Sequence, residues 1–373
     1  MTGAILPAAS RSAPKPDSPP AKVDVVKATG LWNPRLSASS VVKLEIVWRA
    51  HYLLFWMLGR RLMIAACAAV ALHLHQSLAE DLTVGTISLP ALRINGQPAR
   101  AHTQGLEIIS SNYFVTARQD DVLPKRALLL RTDAHRTDWD VWDITPTDAR
   151  GDLTPLNHPG GMQSDGTRLW IPRAESKRNG SSLIRAYPMG GMVAGKPLNA
   201  EVEFPVNDHV GALAVSADRK IVYGANWDTE AVYVWDFDGR LQRTLKGSEM
   251  EGRRLGIVSG VNGRAGLAVQ DWKMIGDRLF ASGLFRGDGV APELPQSRLM
   301  IFTSFSEPEF QRSSISLPKQ GKTELAQEAM AIADGLVYFL PEDLGASNRI
   351  FRVSLADLMK RSVLQDSRAP QKR

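Results

Sequence analysis

Residues 209–245 read HVGALAVSADRKIVYGANWDTEAVYVWDFDGRLQRTL, and the punctuation of this stretch decides the fold. Three short runs rich in apolar and β-branched residues (212–215, 221–225 and 231–235) are separated by Ser216-Ala217-Asp218 and by a polar link, and Asp238-Gly239 then turns the chain into a fourth run, 241–245. Asp, Asn and Gly in such turns adopt left-handed or hairpin backbone geometry at little cost. The stretch reads as one antiparallel four-stranded meander.

Working outward, the same layout recurs. A small residue followed by apolar ones opens a unit at Gly105-Leu106-Glu107-Ile108, Gly161-Met162-Gln163-Ser164, Ala212-Leu213-Ala214-Val215, Gly266-Leu267-Ala268-Val269 and Ala329-Met330-Ala331-Ile332, with first residues 56, 51, 54 and 63 apart. Second strands are expected at 113–117, 169–172, 221–225, 279–283 and 336–340, and third strands at 127–130, 183–187, 231–235, 299–302 and 350–353. Four strands per unit at a period of about 55 residues describe propeller blades; solenoid repeats are shorter. Thr86-Ile87-Ser88-Leu89-Pro90 nearly duplicates Ser314-Ile315-Ser316-Leu317-Pro318, the fourth strand of the fourth unit, while the last unit shows three strands before a short helical tail at 354–360. The expectation is an all-β, five-bladed β-propeller over residues 80–355, closed by its N-terminal strand, with a polar tail at 356–373. A sixth blade would have to lie in the irregular stretch 131–157.

Upstream, residues 57–79 have the layout of a secretory signal peptide: Arg60 and Arg61, a 13-residue apolar stretch at 62–74, and Ser77-Leu78-Ala79 before Glu80. About 20 apolar residues are needed to span a bilayer, so a membrane anchor is the lesser reading. Residues 1–56 begin Pro/Ala/Ser-rich and cannot sustain a core; they read as a disordered extension, or as a gene model that starts before Met57. The address is therefore periplasmic or secreted, by a Sec or Tat route, with retention by an uncleaved N-terminal anchor as the alternative.

The formal charge of +6 belongs to that leader. Residues 1–79 hold nine Lys/Arg and three acids, which leaves 36 basic and 36 acidic residues in the rest. A neutral domain lacks the basic excess that nucleic-acid binding requires. The single cysteine, Cys67, also lies in the leader, which excludes disulfides, thiolate metal sites and a cysteine nucleophile from the folded part.

Three of the domain's four histidines, His102, His158 and His209, stand at equivalent positions before their units' inner strands. A propeller gathers such positions at one mouth of its axis. Convergent imidazoles can hold a divalent metal ion with an open coordination position, shuttle protons, or tie the links that enter each blade. The ends of the second strands bring Arg118, Arg173, Asn226, Asp228 and Arg286 toward the same face, with Gln104 beside the inner strand, as candidates for ligand contact; Glu342 and Asp343 add acids there. Glu107 and Glu328, on or beside inner strands, are candidates for general acid or base.

The segments His102-Thr103-Gln104-Gly105-Leu106-Glu107, His158-Pro159-Gly160-Gly161-Met162, Leu169-Trp170-Ile171-Pro172 and Asn207-Asp208-His209-Val210-Gly211-Ala212 with Gly224-Ala225-Asn226-Trp227-Asp228 resemble an uncharacterised bacterial family of exported propeller-like proteins. That resemblance implies an exported propeller. Thr103-Gln104-Gly105-Leu106-Glu107 is also similar to the opening of five-bladed glutamine cyclotransferases, although Phe114-Val115-Thr116-Ala117-Arg118 replaces the acidic segment expected next. The functional expectation is a propeller that binds a small anionic or sugar-derived ligand, or a protein partner, at its top face. The alternatives are a metal-dependent hydrolase, lyase or lactonase-like enzyme built on the histidines, and a glutamine cyclotransferase-like enzyme.

Overall fold

Strands with two apolar faces must find a partner on each side, and this requirement builds the molecule. The computed structural model describes residues 82–227, 229–250, 258–260, 263–286 and 296–366. The N-terminal extension, the signal peptide, Asp228 and the end of the polar tail lie outside the described residues, as does the side chain of Arg286.

Five antiparallel sheets follow one another. Blade 1 is Ala101–Ile109, Asn112–Gln119, Arg126–Asp133 and Asp140–Asp143. In blade 2 a broken inner strand (His158–Pro159, Gln163–Ser164) precedes Arg168–Ala174, Ser182–Pro188 and Val202–Val206. Blade 3 is Val210–Ser216, Ile221–Asn226, Ala231–Asp236 and Leu241–Lys246, with Gly239 at φ 81° in its last hairpin. Blade 4 is Gly263–Ile275, Arg278–Arg286, Gln296–Thr303 and Gln311–Ser316. Blade 5 is Ala329–Ala333, Leu336–Leu340 and Asn348–Ser354, and its outer strand is Gly85–Leu89, paired with Ile87 opposite Ile350. The strands that fall within 131–157 are the end of Arg126–Asp133 and the short Asp140–Asp143, both of blade 1, so no sixth sheet arises there among the described residues. The helical tail is longer than the sequence indicated, Leu355–Asp366, with the Ser354 hydroxyl accepting the Asp357 N–H as a cap and Leu358 buried.

Alternation along each strand feeds two interfaces. Tyr113, Val115 and Ala117 pack between blades 5 and 1, and Phe114 between blades 1 and 2. Leu169 and Ile171 face blade 1 while Trp170 faces blade 3. One apolar cluster fills each of the five interfaces, including the one that joins Leu106 and Leu128 to Ala329 and Ile350. At about 1.5–3 kcal/mol for each large apolar side chain buried, these seams carry the stability of the ring.

The inner strands are held by two polar side chains rather than by apolar ones. An inner-strand bulge falls at Gln104 in blade 1, Gly211 in blade 3 and Gln270 in blade 4. The equivalent axial residues are therefore Gly105, Gly161, Ala212, Asp271 and Ala329, spaced 56, 51, 59 and 58 apart. The blade 4 unit thus centres on Asp271-Trp272, five residues beyond the Gly266-Leu267 read from the sequence. Asp271 is wholly buried. Its Oδ2 accepts the N–H groups of Leu106 (3.2 Å) and Met330 (3.0 Å), and its Oδ1 accepts the Trp272 N–H (2.8 Å) and Lys273 Nζ (2.6 Å). A Cβ on Gly161 would stand 2.4 Å from this carboxylate, so the approach requires glycine. Gln163 ties the remaining blades, donating to the Met274 carbonyl (2.7 Å) and accepting from Val215 and Met274 N–H groups (2.9 and 2.8 Å).

Candidate functional site

The links that enter the inner strands and the loops between second and third strands share one end of the axis, and polar side chains concentrate there. His102 begins the inner strand of blade 1. Its Nδ1–H donates to Asp343 Oδ1 at 2.7 Å, and its Nε2 stands 4.0 Å from Glu328 Oε2. Asp343 and Glu328 belong to blade 5, so the cluster straddles the 5–1 seam. Backbone bonds between Ala101 and Leu344 and the Thr103 hydroxyl on the Glu342 carbonyl (2.9 Å) fix that seam. One donor atom from each of His102, Glu328 and Asp343 lies within 4.8 Å of the others, the one such group among the described residues.

Electrostatics follow from this packing. The hydrogen bond to Asp343 raises the His102 imidazole above its ordinary value against the effect of burial, and His102 in turn holds Asp343 low. Burial pushes the Glu328 carboxyl up to about 7, with His102 opposing. Glu328 therefore takes up or releases a proton near neutrality.

A second group lies beside the first. Arg118 grips Asp120 through Nε (2.7 Å) and Nη2 (3.0 Å), and its Nη1 donates to His158 Nδ1 at 2.7 Å. Arg118 holds Asp120 down at about 2, with Lys125 assisting. Burial, with Arg118 adding to it, pulls His158 down to about 3, so this ring is neutral and carries its proton on Nε2. His209 lies 5.6 Å from His158 between ring centroids and is buried, its Nδ1–H donating to the Glu175 carbonyl at 2.8 Å and its ring meeting the edge of the exposed Trp227 at 4.5 Å.

The three histidines thus share one mouth without forming one donor set. His102 joins two carboxylates, His158 faces a guanidinium that opposes a bound cation, and His209 latches the loop of blade 2 to blade 3. The other sequence candidates divide similarly. Gln104 occupies the bulge beside His102 and donates to the Thr103 carbonyl. Asn226 spends its amide on Asp208 and on the N–H groups of Glu230 and Ala231, which shapes the blade 3 loop rather than a ligand contact. Arg173 is buried between blades 1 and 2 and does not reach the face, because its strand position continues the inward row of Leu169 and Ile171. Glu107 lies beyond the Asp271 level, where its Oε1 accepts the Ser164 N–H (3.2 Å) and burial, opposed by Lys273, pushes it up to about 7. It is separated along its strand from His102 and Glu328. Asp120 was missed by sequence reasoning, although its place two residues after Arg118 on a top loop was a usable signal.

A depression of about 470 Å³ at the opposite end, lined by Asp165, Arg168, Lys220 and Asp236, holds none of the histidines or Glu328.

Fold and site define a five-bladed β-propeller with an acid–imidazole cluster at one mouth. Residues 144–291 match a family of unknown function, DUF6454. No curated protein matches the chain. Among solved structures the chain is similar to phage phi92 endosialidase, at 8% identity over 74% of this chain and 69% of that one with a TM-score of 0.41. It is also similar to a GH43 protein from Bacillus licheniformis (8% identity, 73% and 57% covered, TM-score 0.43) and to the tail fiber of Staphylococcus aureus phage P68 (12%, 79% and 57%, TM-score 0.40).

Proposed function

We propose that this protein is an exported propeller whose histidine mouth binds a divalent cation, and through it a small oxygen-rich ligand such as a sugar acid. The observation that carries this reading is the 4.0 Å between His102 Nε2 and Glu328 Oε2. Metal–nitrogen and metal–oxygen bonds are about 2.0–2.2 Å each, so these two atoms would hold an ion between them once the side chains close by about 0.5 Å toward a bent ligand angle. Asp343, on the other imidazole nitrogen, plays the outer role that orients a ligating histidine and fixes its tautomer. Two protein ligands leave most coordination positions for ligand oxygens. The mixed nitrogen and oxygen donors suit Mn²⁺ or Zn²⁺ better than Mg²⁺. The carboxyl groups at the mouth support a cation over direct capture of an anion, because Arg118 is already committed to Asp120 while Glu328 and Asp343 flank His102.

Metal analysis and thermal unfolding of the purified protein test this. Stoichiometric Mn²⁺ or Zn²⁺, lost in Glu328→Gln and His102→Ala and retained in His158→Ala, is the expected result. No retained metal and an unchanged Tm with Mn²⁺, Zn²⁺, Ca²⁺ and Mg²⁺ would overturn it. The Asp343–His102 bond favours one second reading, a metal-free hydrolase or lyase in which His102 Nε2 is the base; turnover surviving chelation and lost in Asp343→Asn distinguishes it.

A further inference from the structure

We propose that the interface between blades 1 and 2 holds a small monovalent anion, a halide or a formate-sized carboxylate, on the guanidinium of Arg173. The proposal is independent of the cation reading and concerns a different place in the fold. Arg173 pairs with Pro159 and Leu183 in the middle of its sheet, and its side chain is completely buried. Nη1 donates to the Ile144 carbonyl. Nε and Nη2 have no hydrogen-bond partner among the described residues. Those two nitrogens form one edge of the guanidinium plane, where parallel N–H bonds make the fork that grips an anion. The Tyr187 hydroxyl in the same interface is also unpaired and buried; Arg185 lies close enough to be favoured by it, but no donor–acceptor geometry between them is satisfied.

Charge decides between an anion and a neutral group at this edge. Besides the Tyr187 hydroxyl, the groups that influence Arg173 are Arg185 and Glu203, which act in opposite directions and are paired with each other. Burial lowers Arg173 only to about 10, so the group remains a cation at neutral pH. A buried, uncompensated charge is far more costly than a buried polar group. Water would satisfy the two N–H bonds but leave the charge, whereas a small anion satisfies both.

The test is thermal unfolding at constant ionic strength in sodium gluconate, with chloride, bromide or formate replacing gluconate stepwise. A saturable rise in Tm of roughly 3 °C with a small anion is expected. Arg173→Met removes that dependence whichever way it moves the baseline, Tyr187→Phe weakens it, and the halide and formate arms identify the preferred class. Equal Tm in gluconate and in every small anion, or the same dependence in Arg173→Met, would overturn the proposal. If Arg173→Met does not fold, bromide-soaked crystals of the unmodified protein decide: an anomalous peak beside Nε and Nη2 supports the site, and an ordered water there overturns it.

Discussion

The axis and the mouth are built from the same inner strands, yet their polar groups behave oppositely. Around Asp271 and Gln163 the side-chain oxygens meet N–H donors, and the Lys273 charge is matched at 2.6 Å. At the mouth, Glu328 faces His102 across 4.0 Å, and burial raises its carboxyl to about 7. A saturated network holds blades together, whereas an unsaturated one is available to an ion or ligand.

The sharpest way to break this comparison is Lys273→Met. It strands the Asp271 charge at the centre of the ring, and a loss of about 3–5 kcal/mol is expected in urea unfolding. A loss below about 1 kcal/mol would show that the axis is not a tie.

Titration comes next. Glu328 and Glu107 are both raised to about 7 from an ordinary 4.5, so the folded state holds their protons more tightly. Their contribution is complete below pH 4.5 and is lost as pH rises through 7, by up to roughly 3 kcal/mol for each. His158 has the opposite sign. Lowered from 6.5 to about 3, it stabilises fully above pH 6.5 and loses that contribution on acidification toward 3. Glu328→Gln should remove a large part of the decline between pH 4.5 and 7, and adding Glu107→Gln should remove more, leaving what the raised His102 imidazole contributes. A pH profile unaffected by either change would mean that these carboxyls ionise as they do in water.

The smallest effect belongs to Trp227→Ala. Its indole is exposed at the mouth, so unfolding stability should stay within about 0.5 kcal/mol while binding at the mouth reports any stacking. A larger loss would make Trp227 a structural support for His209.

Blade count and strand order were legible because apolar alternation and Asp/Gly turns are local signals, as residues 209–245 illustrate. Gly266-Leu267-Ala268-Val269 lie within the inner strand of blade 4, Gly263–Ile275, but its axial position falls five residues later for a physical reason. A pattern of small and apolar residues selects Gly266-Leu267-Ala268-Val269, whereas the axial residue is a charged Asp271 made tolerable by Lys273 and by backbone donors from two other blades. Such compensation is nonlocal. The shared mouth of His102, His158 and His209 was legible from their equivalent positions. Their separate partners were not, because Asp343 lies 241 residues from His102 and Arg118 lies 40 from His158.

A single carboxylate with two oxygens spans the centre of this ring, and that has an evolutionary consequence. Duplication of one repeat would widen the central gap beyond the reach of Asp271, and deletion of one would crowd it against Gly161. Relatives with another number of repeats should therefore have replaced this acid, which makes residue 271 a counter of the ring's size.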